Sequence, residues 1–366
     1  MPRPASGSAA VFVAGAAAPY ASPERLTRRA NRAAILRFSV PATVYYRNRD
    51  VREALRQGSI VEMWYGLGTA QQRVFYGLLP AEGAGRELRD ADSVSFAATD
   101  FVGQLQNYTV TLADSTASFV DPVGQEIGGL VAHLAQLAID AQYAANSFSA
   151  AGVQGTEPRQ FVTPENAVYG TGTVKAAIDS YTKLAFDDSA YPDPPLFYEY
   201  HQRDNYLVWR KEESLATGTA ALTLTLGRDA VLGGGVDSQP VYTDALVTGR
   251  TDDARSLHAD RDSSRRWGGR RFVAAGDSGS SFSADSYELA VRLVEIGKHE
   301  RASFSLTAMR DPFLLHPGDL IRLNGAERYG LASKLYRANE VSIDLAPAPV
   351  TTITVDSSAR LLTDYL

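Results

Sequence analysis

The chain has 366 residues, 45% of them hydrophobic and 21% charged, and its formal net charge is -6 at pH 7. A chain of this length is expected to hold two or three domains, and its acidic balance argues against a general nucleic-acid binder, which usually carries a basic surface. Cysteine is absent, which excludes disulfides, thiolate zinc sites and cysteine nucleophiles.

The first 33 residues (1–33) are predicted to form a flexible N-terminal arm rich in alanine, glycine and serine. They combine Arg3, a short apolar stretch and small residues, an order that secretory signals also show. Because the apolar stretch is weak and dominated by alanine, an arm is a better interpretation than a signal peptide. Arms of low complexity are usually disordered when free, so we expect this arm to contact a partner in an assembly.

Residues 34–120 are predicted to form a first β tube domain, with residues 215–245 as a candidate completion. Runs rich in β-branched and aromatic residues predict its strands at residues 35–40, 43–46, 60–65, 73–79 and 93–98. A helical turn over residues 99–105 is expected to close this domain.

Residues 121–214 are predicted to form a small α/β middle domain. A helix is predicted over residues 126–148, because its apolar residues recur three and four positions apart. These residues are Ile127, Leu130, Leu134, Leu137 and Ala141. A second helix is predicted over residues 174–186, ahead of a cluster of prolines. The aromatic-rich residues 196–209 are interpreted as strands.

Residues 245–358 are predicted to form a second β tube domain, followed by a C-terminal tail at residues 359–366. A helix is predicted over residues 283–299, with an acidic cap at Asp285 and a stop at Gly297. Strands in this half of the chain are predicted at residues 221–226, 240–249, 301–308, 320–323, 341–345 and 351–355.

A tight turn at Pro317-Gly318-Asp319 introduces the C-terminal strands. Proline presets φ at the first central position of such a turn, and glycine accepts positive φ at the second. The alternation of apolar and polar residues after Val341 has the period of a sheet with one buried face. The sequence therefore predicts a mainly β fold with an α+β insert, in which two β-barrel-like tube domains flank a small α/β domain.

Several motifs follow one another over residues 245–357, each of them weak by itself. They are, in chain order, the strand end Val247-Thr248-Gly249, the charged segment from Ser264 to Arg271, a helix, the turn Leu315-His316-Pro317-Gly318-Asp319, the return strand from Tyr336-Arg337 to Val341, and the strand from Thr351 to Val355. In the N-terminal half, Ala98-Thr99-Asp100-Phe101 joins the series. Taken in this order, the motifs resemble the baseplate hub family: the hub, or tail-associated, protein at the tip of long-tailed bacteriophages and related injection machines.

The resemblance implies a structural virion protein at the distal end of the tail, assembled in the host cytoplasm. It implies a homotrimer whose two similar β domains per subunit give a ring of sixfold appearance that docks on the hexameric tail tube. Its partners would be the tail tube protein, the distal tail protein, the tape measure protein and the tip or fibre proteins, and host envelope contact would be indirect. DNA would pass through the lumen without specific binding, since an acidic wall repels phosphate.

Two other interpretations stay open at this point. The first is a hexameric distal tail ring protein or a component of a contractile baseplate, which copy number in the particle would distinguish from a trimeric hub. The second is a cell-wall-degrading tail enzyme. Its best candidate carboxylates are Asp187, Asp188 and Glu199, near an aromatic cluster, because glycoside hydrolysis uses paired carboxylates.

Three further patterns imitate known sites, and each is better explained by structure. Residues 276–279 read Gly-Asp-Ser-Gly, as around the serine of trypsin-like proteases, but the upstream His133 lies on a predicted helix and no triad is apparent. The series His258, Asp260 and Asp262 alternates with arginines and suggests salt bridges. The glycines at residues 233–235 lack the lysine and hydroxyl residue of a phosphate loop. The sequence thus predicts no catalytic residue, no cofactor and no metal site.

Overall fold

A computed structural model describes residues 8–41, 45–46, 49–50, 55–56, 58–67, 70–80, 86–90, 93–110, 122–143, 148–155, 160–162, 172–187, 196–234, 237–239, 241–248, 255–269, 272–277, 283–298, 301–309, 314–331, 334–345 and 349–356. The fold is mainly β, as the sequence predicts. In the N-terminal part the strands are β1 (Ser8–Val13), β2 (Ala16–Ala17), β3 (Ser22–Arg29), β4 (Ile35–Pro41), β5 (Tyr45–Tyr46), β6 (Arg49–Asp50), β7 (Ile60–Leu67), β8 (Ala70–Leu78), β9 (Arg86–Asp90), β10 (Ser93–Asp100) and β11 (Thr109–Val110).

The middle and C-terminal parts of the chain contain further strands and the helices. The middle strands are β12 (Ser149–Val153), β13 (Gly172–Thr173), β14 (Phe186–Asp187), β15 (Leu196–Arg203) and β16 (Tyr206–Lys211). The later strands are β17 (Leu222–Thr225), β18 (Ala230–Leu232), β19 (Asp237–Gln239), β20 (Asp244–Thr248), β21 (Ser256–Ala259), β22 (Phe272–Asp277), β23 (Arg301–Ala308), β24 (Leu320–Asn324), β25 (Leu335–Asp344) and β26 (Val350–Asp356). The α-helices are α1 (Phe101–Gln104), α2 (Ile127–Tyr143), α3 (Val174–Leu184), α4 (Arg261–Arg266) and α5 (Ser283–Gly297), and short 3-10 turns occupy Leu105–Asn107 and Ala326–Tyr329.

One large sheet joins the N-terminal and C-terminal parts of the chain. Its strand order is β18-β23-β26-β25-β3-β4-β10-β8-β7-β1-β2, with β9 on β10, β24 on β25, β17 on β24 and β19 on β23. The described strands do not close into a ring, so the barrel-like form of the two tube domains stays a prediction. A shared apolar core follows the sheet, and it includes Leu36 and Phe38 from β4 and Ile343 from β25.

The antiparallel pair β3–β25 is the joint between the two parts of the sheet. Leu26 lies opposite Ile343, and both side chains are buried. On the exposed side, Arg25 pairs with Asp344 at 3.2 Å and Arg29 with Glu340 at 2.8 Å. A shift of one residue would exchange the two faces of the strand, so this pattern of apolar and charged pairs fixes the register.

The strands β1 and β3 correct one expectation. Residues 1–33 are predicted to form a flexible arm. Their described part is instead largely strand from Ser8 to Arg29. The alanine-rich composition hid a period of two, in which Val11 and Val13 are buried while Phe12 between them is more exposed. The β3 side chains are held in the same way, because Leu26 and Arg28 both point into the protein.

The middle unit consists of the mixed sheet β12-β16-β15-β14 with α2 and α3 packed on it. Both helices begin within one residue of the predicted start, whereas α2 ends at Tyr143 and α3 at Leu184, ahead of the predicted ends at residues 148 and 186. Thr173 caps α3 by accepting a hydrogen bond from the Ala176 amide at 3.1 Å. Trp209 is fully buried and donates to Thr182 Oγ1 at 2.9 Å, while its ring stacks on Tyr198 at 4.4 Å. The aromatic cluster near Glu199 is therefore the core of this unit.

A third, smaller unit lies within residues 245–358, the range predicted as the second β tube domain. The sheet β21-β20-β22 packs on α5 through Ala245, Val247, Leu293 and their neighbours. By contrast, β23 to β26 belong to the large sheet. The predicted range thus holds two different structures, and the domain boundaries themselves stay a prediction. In the part of the chain described above, no helix combines the length and apolar character that crossing a membrane requires.

Candidate functional site at the seam between the middle sheet and the Pro-Gly-Asp turn

The turn Pro317-Gly318-Asp319 packs against the middle unit, and we call this contact the seam. Gly318 has a φ of 85°, as the sequence predicts for the second central position. The turn is anchored to β25, because Gly318 N donates to Ala338 O at 2.8 Å and Ala338 N donates to Asp319 O at 3.0 Å. Asp319 also accepts a hydrogen bond from the His316 amide at 2.8 Å. The backbone of the turn is thus held firmly in place.

Glu199 on β15 lies directly over Gly318. Its side chain is fully buried, and a Cβ added at Gly318 would overlap its carboxylate. Arg210 on β16 bridges the two sides of the seam: its Nε lies 3.4 Å from Glu199 Oε1 and its Nη2 lies 3.3 Å from Asp319 Oδ1. Burial raises the pKa of Glu199, while Arg337 and Arg210 oppose the rise. Only glycine lets the turn approach the carboxylate this closely.

Arg337 on β25 closes the cluster from the other side, with only 1% of its surface exposed. It donates to Gly318 O at 3.2 Å and to Glu213 O at 2.7 Å, and its Nη2 lies 3.6 Å from Glu212 Oε2. Buried charges are stable only when they are paired and hydrogen-bonded. Acidic and basic side chains therefore alternate across the seam, from the middle sheet to the C-terminal strands.

Two histidines stack beside this cluster, again one from each side. The rings of His201 on β15 and His316 before the turn have centroids 5.8 Å apart and an interplanar angle of 23°. Both nitrogens of His201 and Nδ1 of His316 lack hydrogen-bond partners among the described residues. Burial, reinforced by the nearby arginines, lowers the pKa of His201 to about 3 and that of His316 well below its ordinary value. Both rings are thus neutral at pH 7.

Arg28 ties the joint strand β3 to the same region. Its guanidinium donates to Leu315 O at 3.0 Å and to Val74 O on β8, and 4% of the residue is exposed. Burial lowers its pKa to about 10, against the opposing effect of Asp319. One buried cation thus links β3, β8 and the segment that enters the turn.

The carboxylates considered for glycoside hydrolysis have structural surroundings. Glu199 is enclosed in the seam, and Asp187 is buried and pairs with Lys211 at 2.7 Å. Asp188 lies outside the described residues. A general acid or nucleophile must reach the sugar, and neither described carboxylate is open to a substrate.

The other sequence patterns are dispersed over the fold. His133 is exposed on α2, while Ser278 lies outside the described residues. Asp260 caps α4 and contacts Lys298 at 3.3 Å, and His258 packs edge-on against Tyr287. The glycine run at residues 233–235 begins with a backbone contact, because Gly233 N donates to Ser305 O; Gly235 lies outside the described residues. Within the described ranges, no three histidine or acidic side chains are grouped so that they could hold a metal ion.

Sequence reasoning found the turn but missed the residues that bind it. Arg337 interrupts an apolar strand and Glu199 lies in an aromatic run, and a charge at such a position is a signal of a buried pair. The partners that lie on opposite sides of the seam, however, are more than 100 residues apart: 109 in the case of Arg210 and Asp319. No local pattern connects them.

The comparison with known proteins identifies the fold. No protein-family model and no curated protein matches the sequence. Among solved structures, the chain is similar to a tail protein from Neisseria meningitidis MC58, with 11% identity, a TM-score of 0.61 and 99% of each chain covered. It is also similar to the 43 kDa tail protein of prophage MuSo2 from Shewanella oneidensis, with 11% identity, a TM-score of 0.57 and coverage of 95% of this chain and 97% of that one.

A third similar structure is the prophage tail protein gp18 from Listeria monocytogenes EGD-e, with 11% identity, a TM-score of 0.53 and 94% of each chain covered. At this identity, the likeness is one of fold. The resemblance predicted from the order of motifs is confirmed at that level: the chain has the fold of phage tail proteins.

Proposed function

We propose that this chain is a structural protein of a bacteriophage tail, and that it forms the trimeric hub that joins the hexameric tail tube to the tail tip. The observation that carries the proposal is the fold likeness to three tail proteins, which extends over 94% to 99% of both chains in each comparison. A likeness over whole chains supports a shared architectural role better than a likeness of one domain would. Function is otherwise a property of sites and not of folds.

The large sheet supports the trimeric arrangement. It sets an N-terminal β region and a C-terminal β region side by side, joined at β3 and β25. Three copies around one axis would present six such regions, which is the geometry that a hexameric tube requires of a threefold partner. The seam adds rigidity, since it binds the middle unit to the C-terminal region.

The hub would form the channel for DNA ejection. A net charge of -6 supports passage without specific binding, because like charge removes the affinity that phosphate contacts otherwise give. The proposed neighbours are the tail tube protein, the distal tail protein, the tape measure protein and the tip or fibre proteins. Contact with the host envelope would be indirect, and assembly into the distal end of the tail would take place in the host cytoplasm.

The copy number tests the hub directly. The mass of the purified protein, measured by light scattering during size-exclusion chromatography, should be close to three times the 39.5 kDa of one chain. Electron microscopy of the particle tip should show three copies around the axis. Six copies would instead identify a distal tail ring or a contractile baseplate component, and a stable monomer in both measurements would overturn the proposal.

A second test addresses the enzymatic alternative. The proposed role is not enzymatic, and the burial of Glu199 and the ion pair of Asp187 support this. The purified protein should not clear a suspension of bacterial cell walls, and Glu199→Gln should behave like the original chain. Lysis that disappears in this variant would favour a cell-wall-degrading tail enzyme.

A further inference from the structure

Strand β8 has one edge that is free over part of its length. It pairs with β7 from Ala70 to Leu78, but on its other side it pairs with β10 only at Gly77 and Leu78. Residues 70–76 therefore have no neighbouring strand on that side among the described residues. Side chains already bond two of their carbonyls, because Arg28 donates to Val74 O and Gln202 donates to Tyr76 O at 2.7 Å, so residues 70–73 form the open part of the edge. An edge of this kind offers unpaired backbone groups that can pair with another chain.

A cavity of about 580 Å³ borders this edge. Six consecutive β8 residues, 71–76, line it. Successive side chains of a strand point to opposite faces, so a run of consecutive residues indicates that the cavity follows the backbone edge and not one face. The size lies within the range of about 300–1,000 Å³ that is typical of binding pockets.

The charges around the cavity favour an anionic group. Three arginines line it, Arg28, Arg73 and Arg203. Arg73 is engaged by Asp204 at 2.6 Å and lies over the Tyr76 ring at 4.4 Å, and the Arg28 guanidinium bonds two carbonyl oxygens. Arg203 is exposed and has no ion pair with any described residue. One cation at this edge is therefore available.

The acidic side chains of the lining do not cancel this charge. Asp204 already faces Arg73, and Asp100 accepts from the amides of Ala34 at 2.9 Å and Gly103 at 3.2 Å. Burial raises the pKa of Asp100 to about 7, so that this carboxyl is only partly charged at neutral pH. A positive lining on a chain whose net charge is -6 is a local exception.

We propose that the free edge of β8 and its cavity bind an extended, acidic segment of another protein by strand addition. The main chain of the segment would pair with residues 70–73, and an acidic side chain would enter the cavity and meet Arg203. Main-chain pairing supplies affinity in this mode of recognition, and the pockets beside the strand supply specificity. The inference goes beyond the hub proposal, since it holds for any number of copies.

The test uses the full-length chain and a fluorescein-labelled peptide, Gly-Ser-Thr-Val-Glu-Val-Thr-Ser-Gly, with fluorescence anisotropy as the readout. Three companion peptides serve for comparison. One carries lysine in place of glutamate, the second carries N-methyl groups on the odd-numbered residues, and the third carries them on the even-numbered residues. The glutamate peptide should bind, and one of the two methylated peptides should not, because a strand turns alternate amides to each side. The lysine peptide should bind at least about tenfold more weakly, a difference of about 1.4 kcal/mol.

Two exposed arginines give a matched pair of variants. Arg203→Glu should weaken the binding of the glutamate peptide about tenfold and strengthen the binding of the lysine peptide. Arg265→Glu changes the same charge on α4, where the Arg265 side chain is 81% exposed, and should leave both affinities unchanged. Both positions are at the surface, so both variants are expected to fold.

Three results would overturn the proposal. They are no binding by the glutamate peptide up to about 1 mM, equal binding by the glutamate and lysine peptides, and equal effects of the two arginine variants. Inorganic phosphate provides the remaining distinction. If phosphate alone displaces the peptide and N-methylation has no effect, the cavity is a small-anion site and strand addition is wrong.

Discussion

Replacement of Gly318 by alanine tests the seam at its closest approach. Gly318 has a φ of 85°, a left-handed conformation that costs a residue with a Cβ about 1–2 kcal/mol. The new Cβ would also overlap the carboxylate of Glu199, which has to move away from Arg210. Complete loss of one partner of a buried ion pair costs about 3–5 kcal/mol. A partial displacement is expected to add about 2 kcal/mol.

Gly330→Ala is the matched control. Gly330 has a φ of 74° and ends a 3-10 turn, so alanine meets the same backbone strain there. A Cβ at this position would have no neighbouring atom within 4 Å. The difference between the two variants therefore measures the contact with Glu199 alone, and we expect Gly318→Ala to be less stable by about 2 kcal/mol.

Urea unfolding followed by tryptophan fluorescence is a suitable assay, because the fully buried Trp209 reports on the middle unit. A chain with several cores can unfold in more than one step, so the free energies of all resolved transitions are added and the totals are compared between variants. Equal destabilisation by the two alanines would refute the reasoning, since it would mean that the turn does not press on Glu199. A larger effect of Gly330→Ala would refute it as well.

Three further predictions concern the same structure. His201 is neutral, and it binds protons more weakly in the folded chain than in the unfolded chain. As the pH falls from its unfolded pKa near 6.5 to its folded pKa of about 3, its contribution to the free energy of unfolding falls by about 1.4 kcal/mol per pH unit. Urea titrations across that range should show that the loss of stability caused by His201→Phe shrinks as the pH falls, and a constant loss would contradict this. Arg337→Met removes the buried cation that lies beside Glu212 and should cost about 3–5 kcal/mol, whereas the exposed Arg265→Met should cost less than about 0.5 kcal/mol by the same assay. Thr173→Ala removes the cap of α3 and should cost about 1 kcal/mol, which Thr173→Ser should largely restore.

The elements with a clear local period could be read from the sequence. The helix α2 begins one residue after the predicted start, and its apolar residues recur with the spacing of a buried helical face. The strand β4 was predicted at residues 35–40 and extends to Pro41. In both cases one face of the element is buried, so apolar residues recur in the sequence with the period of that element, and turn residues lie at the two ends.

Pairing between distant strands produces no such pattern in the sequence. The joint between β3 and β25 connects Leu26 with Ile343, and the composition of the first segment suggested an arm because many of its residues are alanine. A strand whose partner lies 317 positions away has the same local sequence whether or not that partner exists. The residues of the joint could therefore be found only from the fold.

The seam shows the same limit for charges, and it also suggests why they are there. A buried ion pair is rarely more stable than an apolar contact of equal volume, so stability alone does not explain Glu199, Arg210 and Asp319. Their geometry is selective, because Arg210 reaches Glu199 at 3.4 Å and Asp319 at 3.3 Å only while the turn stays over β15.

A slip of β25 by one residue would carry Arg337 to the opposite face and leave Glu212 and the Gly318 carbonyl without it. An apolar seam could slide with little loss, whereas this one loses paired charges in every other position. Its main contribution is thus to the orientation of the middle unit relative to the large sheet. In the hub proposed above, each subunit would have to match its neighbours around the tail axis, and that requires the orientation to be unique.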